Sequence, residues 1–135
     1  MATKTSERYI EAVGRRKTSV ARVRITPASK QSFLVNEKSL KDFFQLPALI
    51  KRAEDSFAGA EIDQKFAVTV HVNGGGISAQ AESVRLGIAR CLVKYNADLR
   101  KPLKKLGFLK RDQRSVERKK PGLKKARKAP QWSKR

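Results

Sequence analysis

Between residues 66 and 72 apolar side chains fall on alternate positions, with Phe66, Val68, Val70 and Val72 on one side and Ala67, Thr69 and His71 on the other. A period of two predicts a strand with one buried face. The same alternation sets Ala21, Val23 and Ile25 against Arg22 and Arg24 in a strand predicted over residues 18–26. Residues 8–13 read as its partner, with Gly14-Arg15-Arg16-Lys17 as the connection. Pro27 should end the second strand, because proline offers no N–H to a ladder. Phe33-Leu34-Val35 is a short third strand candidate, which makes about four in all.

Elsewhere the spacing lengthens to three and four. Ser39 suits an N-cap for a short helix burying Leu40, Phe43 and Phe44, and Pro47 suits the first position of the next, through Leu49, Ile50 and Ala53. After Asn73-Gly74-Gly75-Gly76 a long helix is predicted over residues 78–95. Ile77, Ala81, Val84, Ile88, Leu92 and Tyr95 form its apolar stripe, and Arg85, Arg90 and Lys94 lie mostly off it. A further short helix is predicted over residues 98–106 despite Pro102, and beyond Gly107 the periodicity fades. The pattern predicts one α+β domain over residues 1–105, a mixed sheet of about four strands with helices packed on one face. An extended basic tail follows over residues 106–135.

Charge sharpens that division. The 135 residues carry 32 Lys and Arg against 12 Asp and Glu, a net charge of +20. Residues 1–100 hold 17 cations and 10 acids, and residues 101–135 hold 15 and 2, so the tail carries +13 of the excess with only 9 apolar residues. A soluble domain needs a net charge of only about 2–8 in magnitude, so solubility does not explain this composition. A segment so poor in apolar residues cannot offset its own ordering entropy, and order is expected to come from a partner. The polycation points to a polyanion.

Candidate chemistry is sparse. One cysteine, Cys91, excludes an internal disulfide, and one histidine and one cysteine cannot supply the usual four ligands of a structural zinc. No run approaches the ~18 apolar residues of a membrane span, and Met1-Ala2-Thr3-Lys4 leads to Glu7 without the apolar core of a signal peptide. The acids show no catalytic pairing, so neither an enzyme, a metal nor a cofactor is expected. Gly74-Gly75-Gly76-Ile77-Ser78-Ala79 does match the dinucleotide-binding spacing G-x-G-x-x-A between a strand and a helix. A dinucleotide half-domain, however, requires a further strand after the helix. A nucleic-acid phosphate at this loop, or a tight turn that simply needs glycine, fits the residues as well.

Candidate RNA-binding residues follow from charge placement. Arg15, Arg16 and Lys17 crowd the first connection, Arg22 and Arg24 share the polar face of the second strand, Gly74, Gly75 and Gly76 offer backbone N–H groups, and Arg85 lies on the long helix mostly off its apolar stripe. In the tail Arg111, Arg114, Arg118, Lys119 and Lys120 precede Pro121-Gly122, and Lys124, Lys125, Arg127 and Lys128 follow. Trp132 is available to stack on a base or ribose, or to pack on another protein.

Three segments then make the chain resemble the small-subunit ribosomal protein nine family in its bacterial or organellar form. They are Gly14 to Val23; Gly74-Gly75-Gly76 with Gln80, Ser83, Gly87, Ala89 and Arg90; and Lys119 to Arg127 with Gln131, Ser133, Lys134 and Arg135. The resemblance implies an α+β domain like the second domain of ribosomal protein five, packed on 16S-type rRNA in the subunit head. It also implies a monomer within the ribosome, contacts to neighbouring head proteins, and a bacterial cytoplasmic or organellar setting. Its tail would thread to the peptidyl-tRNA site, where Ser133, Lys134 and Arg135 would contact the tRNA anticodon stem-loop. Trp132 stands where the family more usually has Phe, and Pro121 where Tyr or Phe is common.

Overall fold

A computed structural model describes residues 8–134; the first seven residues, on which part of the reading of the N-terminus rests, and Arg135 lie outside the described residues. The elements are β1 (Ile10–Arg16), β2 (Ser19–Ala28), β3 (Ser32–Val35), β4 (Lys38–Ser39), α1 (Leu40–Phe44), α2 (Pro47–Ala60), β5 (Lys65–Asn73), α3 (Ile77–Tyr95), a 3₁₀ turn (Ala97–Leu99) and α4 (Arg100–Lys105). Among the described residues the strands form one sheet of order β1-β2-β5-β3-β4, antiparallel except for the parallel pair β3 and β5. The α+β class and the mixed sheet match the reading of the sequence, and the two-residue β4 brings the strand number to five.

The alternating residues of β2 and β5 do what their spacing predicts. Ala21, Val23, Ile25, Phe66, Val68, Val70 and Val72 are buried, and Val20, Arg22, Thr69 and His71 face outward. Helix α3 lies over β1 and β2 and buries Ala81, Val84, Ile88 and Leu92. Ile77 and Tyr95, at the ends of its stripe, stay partly exposed, and Tyr95 packs edge-on against Phe66 with ring centroids 5.1 Å apart. Helix α2 covers the other half of the sheet through Phe57, which stacks on Phe66 at 6.0 Å and meets Phe33 edge-on. Ser39 caps α1 by accepting from the Asp42 N–H at 3.2 Å, and Pro47 opens α2.

Two boundaries differ from the pattern. The β1–β2 connection is Lys17-Thr18, with Lys17 at φ 53°, and Gly14, Arg15 and Arg16 belong to β1. Gly14 is required by packing: a Cβ there would lie 1.8 Å from the Ser83 carbonyl oxygen and 2.6 Å from the Gly87 nitrogen on α3. Strand β2 continues through Pro27 to Ala28, because β1 pairing stops at Ile25 and no strand on that side needs the missing N–H. The short β3 is lengthened by side chains at both ends. Gln31 accepts from the Phe66 N–H at 3.0 Å, and Asn36 accepts from the Val72 N–H and donates to the Val72 carbonyl, each at 3.0 Å.

Edge strand β1 is closed by α3. Arg90 donates to the Val13 carbonyl at 2.6 Å and Lys94 to the Glu11 carbonyl at 2.7 Å, occupying acceptors that an open edge would present to another strand. Beyond α4, Gly107 at φ 81° turns the chain back, and Phe108 and Leu109 pack against the core. After residue 105 the described chain has turns and extended segments, with no further helix or strand.

Candidate nucleic-acid interface

The glycine loop is a packing device at two of its three positions. Gly74 (φ 77°) and Gly75 (φ 64°) lie against the Lys17–Thr18 turn: a Cβ on Gly74 would come within 2.6 Å of the Thr18 carbonyl oxygen, and one on Gly75 within 3.0 Å of Ser19 Cβ. Gly76 faces open space and precedes α3. Gln80 donates to the Gly74 carbonyl at 3.1 Å, closing the loop from inside. Among the described residues no strand follows α3, where a dinucleotide half-domain has its second strand. Among the described residues no group of His, Cys, Asp or Glu could hold a metal ion, and no helix is long and apolar enough to cross a membrane. His71 sits exposed on β5 opposite Arg22. Cys91 is buried against the carbonyls of Ile10 and Val23, and burial pushes its thiol up to about 12.

The arginines of the N-terminal hairpin divide between two faces. Arg15 is exposed on β1 and Lys17 in the turn. Arg22 and Arg24 share the outer sheet face with Glu11, whose carboxylate lies 3.3 Å from one guanidinium and 3.5 Å from the other. Arg24 also covers the Tyr9 ring at 4.5 Å. Arg16 points the opposite way, with its side chain only 12% exposed, and forms an ion pair with Glu82 at 2.6 Å. A strand alternates its side chains, so three adjacent basic residues do not make one cluster.

A second basic group gathers where the tail leaves the body. Arg85, Lys110, Arg111 and Arg114 line one shallow depression with Gly107 and Gln113, and Arg100, Lys104 and Lys110 line another beside it. Arg85 lies over the Phe108 ring at 5.1 Å, which fixes its direction. Arg114 makes a two-pronged ion pair with Asp112, at 2.8 Å for the closest oxygen. This hydrogen bonding holds the Asp112 carboxyl well below the usual carboxylate range and raises Arg114. Arg100, Lys101, Lys104 and Lys105 on α4 extend the basic surface while Leu103 is buried. The density of cations around one inward leucine was the available signal for these four.

Further along, Lys120-Pro121-Gly122-Leu123 forms a tight turn, with Gly122 at φ 80° and the Leu123 N–H donating to the Lys120 carbonyl at 3.3 Å. Glu117 pairs with Lys120 and, at 3.0 Å, with Arg127 across the bend. Among the described residues Arg118, Lys119, Lys124, Lys125, Lys128 and Lys134 form no ion pair and are exposed, as is Ser133. Trp132 is 80% exposed. Arg135, paired with Lys134 in the sequence reading, lies outside the described residues.

The family model for ribosomal protein S9/S16 matches residues 14–135, from the first glycine of the hairpin to the end of the tail. The chain belongs to this family. Its sequence is 48% identical over 130 residues to the small ribosomal subunit protein uS9 of Mycoplasma mobile, an alignment covering 96% of this chain and 99% of the relative. It is 52% identical over 125 residues to the uS9 proteins of Thermotoga maritima and Thermotoga sp. strain RQ2, covering 90% of this chain and 92% of each. Membership of the S9 family makes it a structural, non-enzymatic protein of the small ribosomal subunit, of the bacterial type. Gly14 of the hairpin, Gly74 and Gly75 packed against its turn, and the basic tail all fall inside the matched span.

Proposed function

We propose that this S9-family chain binds 16S-type rRNA in the head of the small subunit, and that the end of its tail contacts peptidyl-site tRNA. The observation that carries the reading is the tail's charge: nine Lys and Arg in residues 115–135 against the single acid Glu117, on a segment with neither helix nor strand among its described residues. An extended chain can follow a phosphate backbone, and its contacts supply affinity and register without reading bases. Arg85, Lys110, Arg111 and Arg114 would hold phosphates at the root of the tail. Arg15, Lys17, Arg22 and Arg24 would do so on the hairpin, with exposed Gly76 ahead of α3. Arg118, Lys119, Lys120, Lys124, Lys125, Arg127 and Lys128 would continue the track, leaving Ser133, Lys134 and Arg135 for the tRNA anticodon stem-loop. Arg16 enters this list as a support for the root.

The chain would act as a monomer within the bacterial-type ribosome, in contact with neighbouring head proteins. Removing residues 133–135 from the full chain tests the tRNA contact. Small subunits reconstituted with the shortened chain should assemble and sediment normally while binding peptidyl-site tRNA more weakly. Unchanged tRNA affinity would remove the end of the tail from that site. Competition between 16S-type rRNA and duplex DNA at physiological salt tests the rRNA contact, and equal preference would mark a general polyanion binder.

A further inference from the structure

The guanidinium of Arg16 is held by three groups at once, one on α3 and two at the root of the tail. Its Nε lies 2.6 Å from Glu82 on α3, its Nη1 donates to the main-chain carbonyl of Arg114 at 2.7 Å, and its Nη2 lies 3.4 Å from Asp112. Glu82 is steadied from the far side by Arg52 of α2, 3.6 Å away, which also donates to Ser78 at 3.1 Å. Asp112 is steadied by Arg114, through the main-chain N–H at 3.0 Å and the two-pronged guanidinium pair. Of the tail's two acids, one thus ties it to the body and the other, Glu117, ties the tail to itself.

We propose that Arg16 and Asp112 are positioning residues that latch the root of the tail to β1 and α3 and so set the direction in which residues 115–134 leave the body. The planar fork of an arginine can serve a carboxylate, a second carboxylate and a carbonyl together, which the compact ammonium of lysine cannot do with the same geometry. Fixing the root confines the far end of the tail to a smaller volume, and that raises its effective concentration at a fixed RNA site. The charge bookkeeping runs against any other use of Asp112: an acid in a polycationic tail weakens phosphate contact by Coulomb's law, so its presence needs a local function.

The latch rests on the reading that the tail end meets tRNA, and two measurements keep the two apart. In the full chain, Glu54→Cys on exposed α2 and Val116→Cys on the exposed tail take spin labels, and buried Cys91 stays unlabelled. The interspin distance should be narrowly distributed, should broaden in Asp112→Ala and Arg16→Lys, and should be restored in part by Asp112→Glu. In reconstituted small subunits, Asp112→Ala should weaken peptidyl-site tRNA binding by about five-fold, although removing an acid predicts tighter binding from charge alone. An unchanged distance distribution, or tRNA binding that tightens in Asp112→Ala, overturns the latch. If the distance broadens but removal of residues 133–135 leaves tRNA affinity unchanged, the latch stands as a structural tie and the tRNA reading fails. Asp112 lies on the partly exposed tail, so its variants leave the body folded even where Arg16→Lys exposes a folding defect.

Discussion

Replacing Gly14 with alanine should destabilise the protein more than any conventional reading of an exposed basic hairpin would suggest. Gly14 has ordinary strand dihedral angles, so alanine meets no backbone penalty there and by chain entropy alone would stabilise by about 0.4–1 kcal/mol. The added Cβ, however, would stand 1.8 Å from the Ser83 carbonyl oxygen, 2.9 Å from its carbon and 2.6 Å from the Gly87 nitrogen, all backbone atoms of α3. No rotamer change relieves such a contact. Strand and helix must separate by more than an ångström, opening the layer that buries Ala12, Val23, Val84 and Ile88. Overpacking of yielding side chains costs about 1–3 kcal/mol, and a backbone-to-backbone clash belongs at or above the top of that range. At about 4–8 °C per kcal/mol for a body of this size, Tm should fall by about 12 °C or more. Urea denaturation followed by circular dichroism would show a lower midpoint at unchanged slope. Gly87→Ala should fall between, since the helix gains about 1 kcal/mol from alanine while its Cβ crowds Val23 Cγ2 at 2.5 Å. Gly76→Ala, with nothing within 4 Å, should stay within about 0.5 kcal/mol. A Gly14→Ala midpoint equal to the parent's, or a Gly76→Ala loss as large as that of Gly14→Ala, would refute the packing argument.

Ser83→Ala should cost about 1–2 kcal/mol, because the buried Ser83 hydroxyl bonds Ser19 Oγ at 2.9 Å and the Ala79 carbonyl at 2.8 Å. In a double-mutant cycle read by urea midpoints, Ser19→Ala with Ser83→Ala should lose less than the two singles together, and strict additivity would show that the pair does not interact. Burial favours the neutral Cys91 thiol and raises its pKa from 9.0 to about 12. The stabilisation from this group is therefore complete below about pH 9 and is lost as pH rises toward 12. Iodoacetamide at pH 8 should react with it only as fast as the protein unfolds, and reaction at the rate of a free thiol would contradict its placement.

Strand periodicity was legible where one face is buried and one wet, as along Phe66, Val68, Val70 and Val72, and so was the amphipathic stripe of α3. The meaning of individual glycines was harder to read. Gly14 looks like a turn signal, but its absent side chain makes room for α3, and that neighbour is some 70 residues away in sequence. The true turn uses Lys17, a residue with no turn signature, at positive φ. Likewise Gly74 and Gly75 read equally as a phosphate loop or as a turn that needs glycine, and their packing against Thr18 and Ser19 could not be seen from the sequence. Charge marked the tail as a basic stretch, and its described residues carry neither helix nor strand, but charge could not separate Arg15 from Arg16. Only the β1 register shows one facing solvent and the other facing Glu82 and Asp112. The acids Glu11, Glu82, Asp112 and Glu117 were invisible as organisers because each meets partners brought to it by folding or by a bend in the tail.

The assignment of RNA contact to the tail is tested most directly by the salt dependence of binding to 16S-type rRNA, with and without residues 115–135. That segment carries nine cations, and about eight phosphate contacts give a log–log slope of about −6 to −7. Deleting the segment should flatten the slope by that amount while the unfolding midpoint of the body stays in place, since among the described residues every helix and strand lies within residues 10–105. A slope and affinity that survive the deletion would contradict the assignment and move the RNA contact to the body.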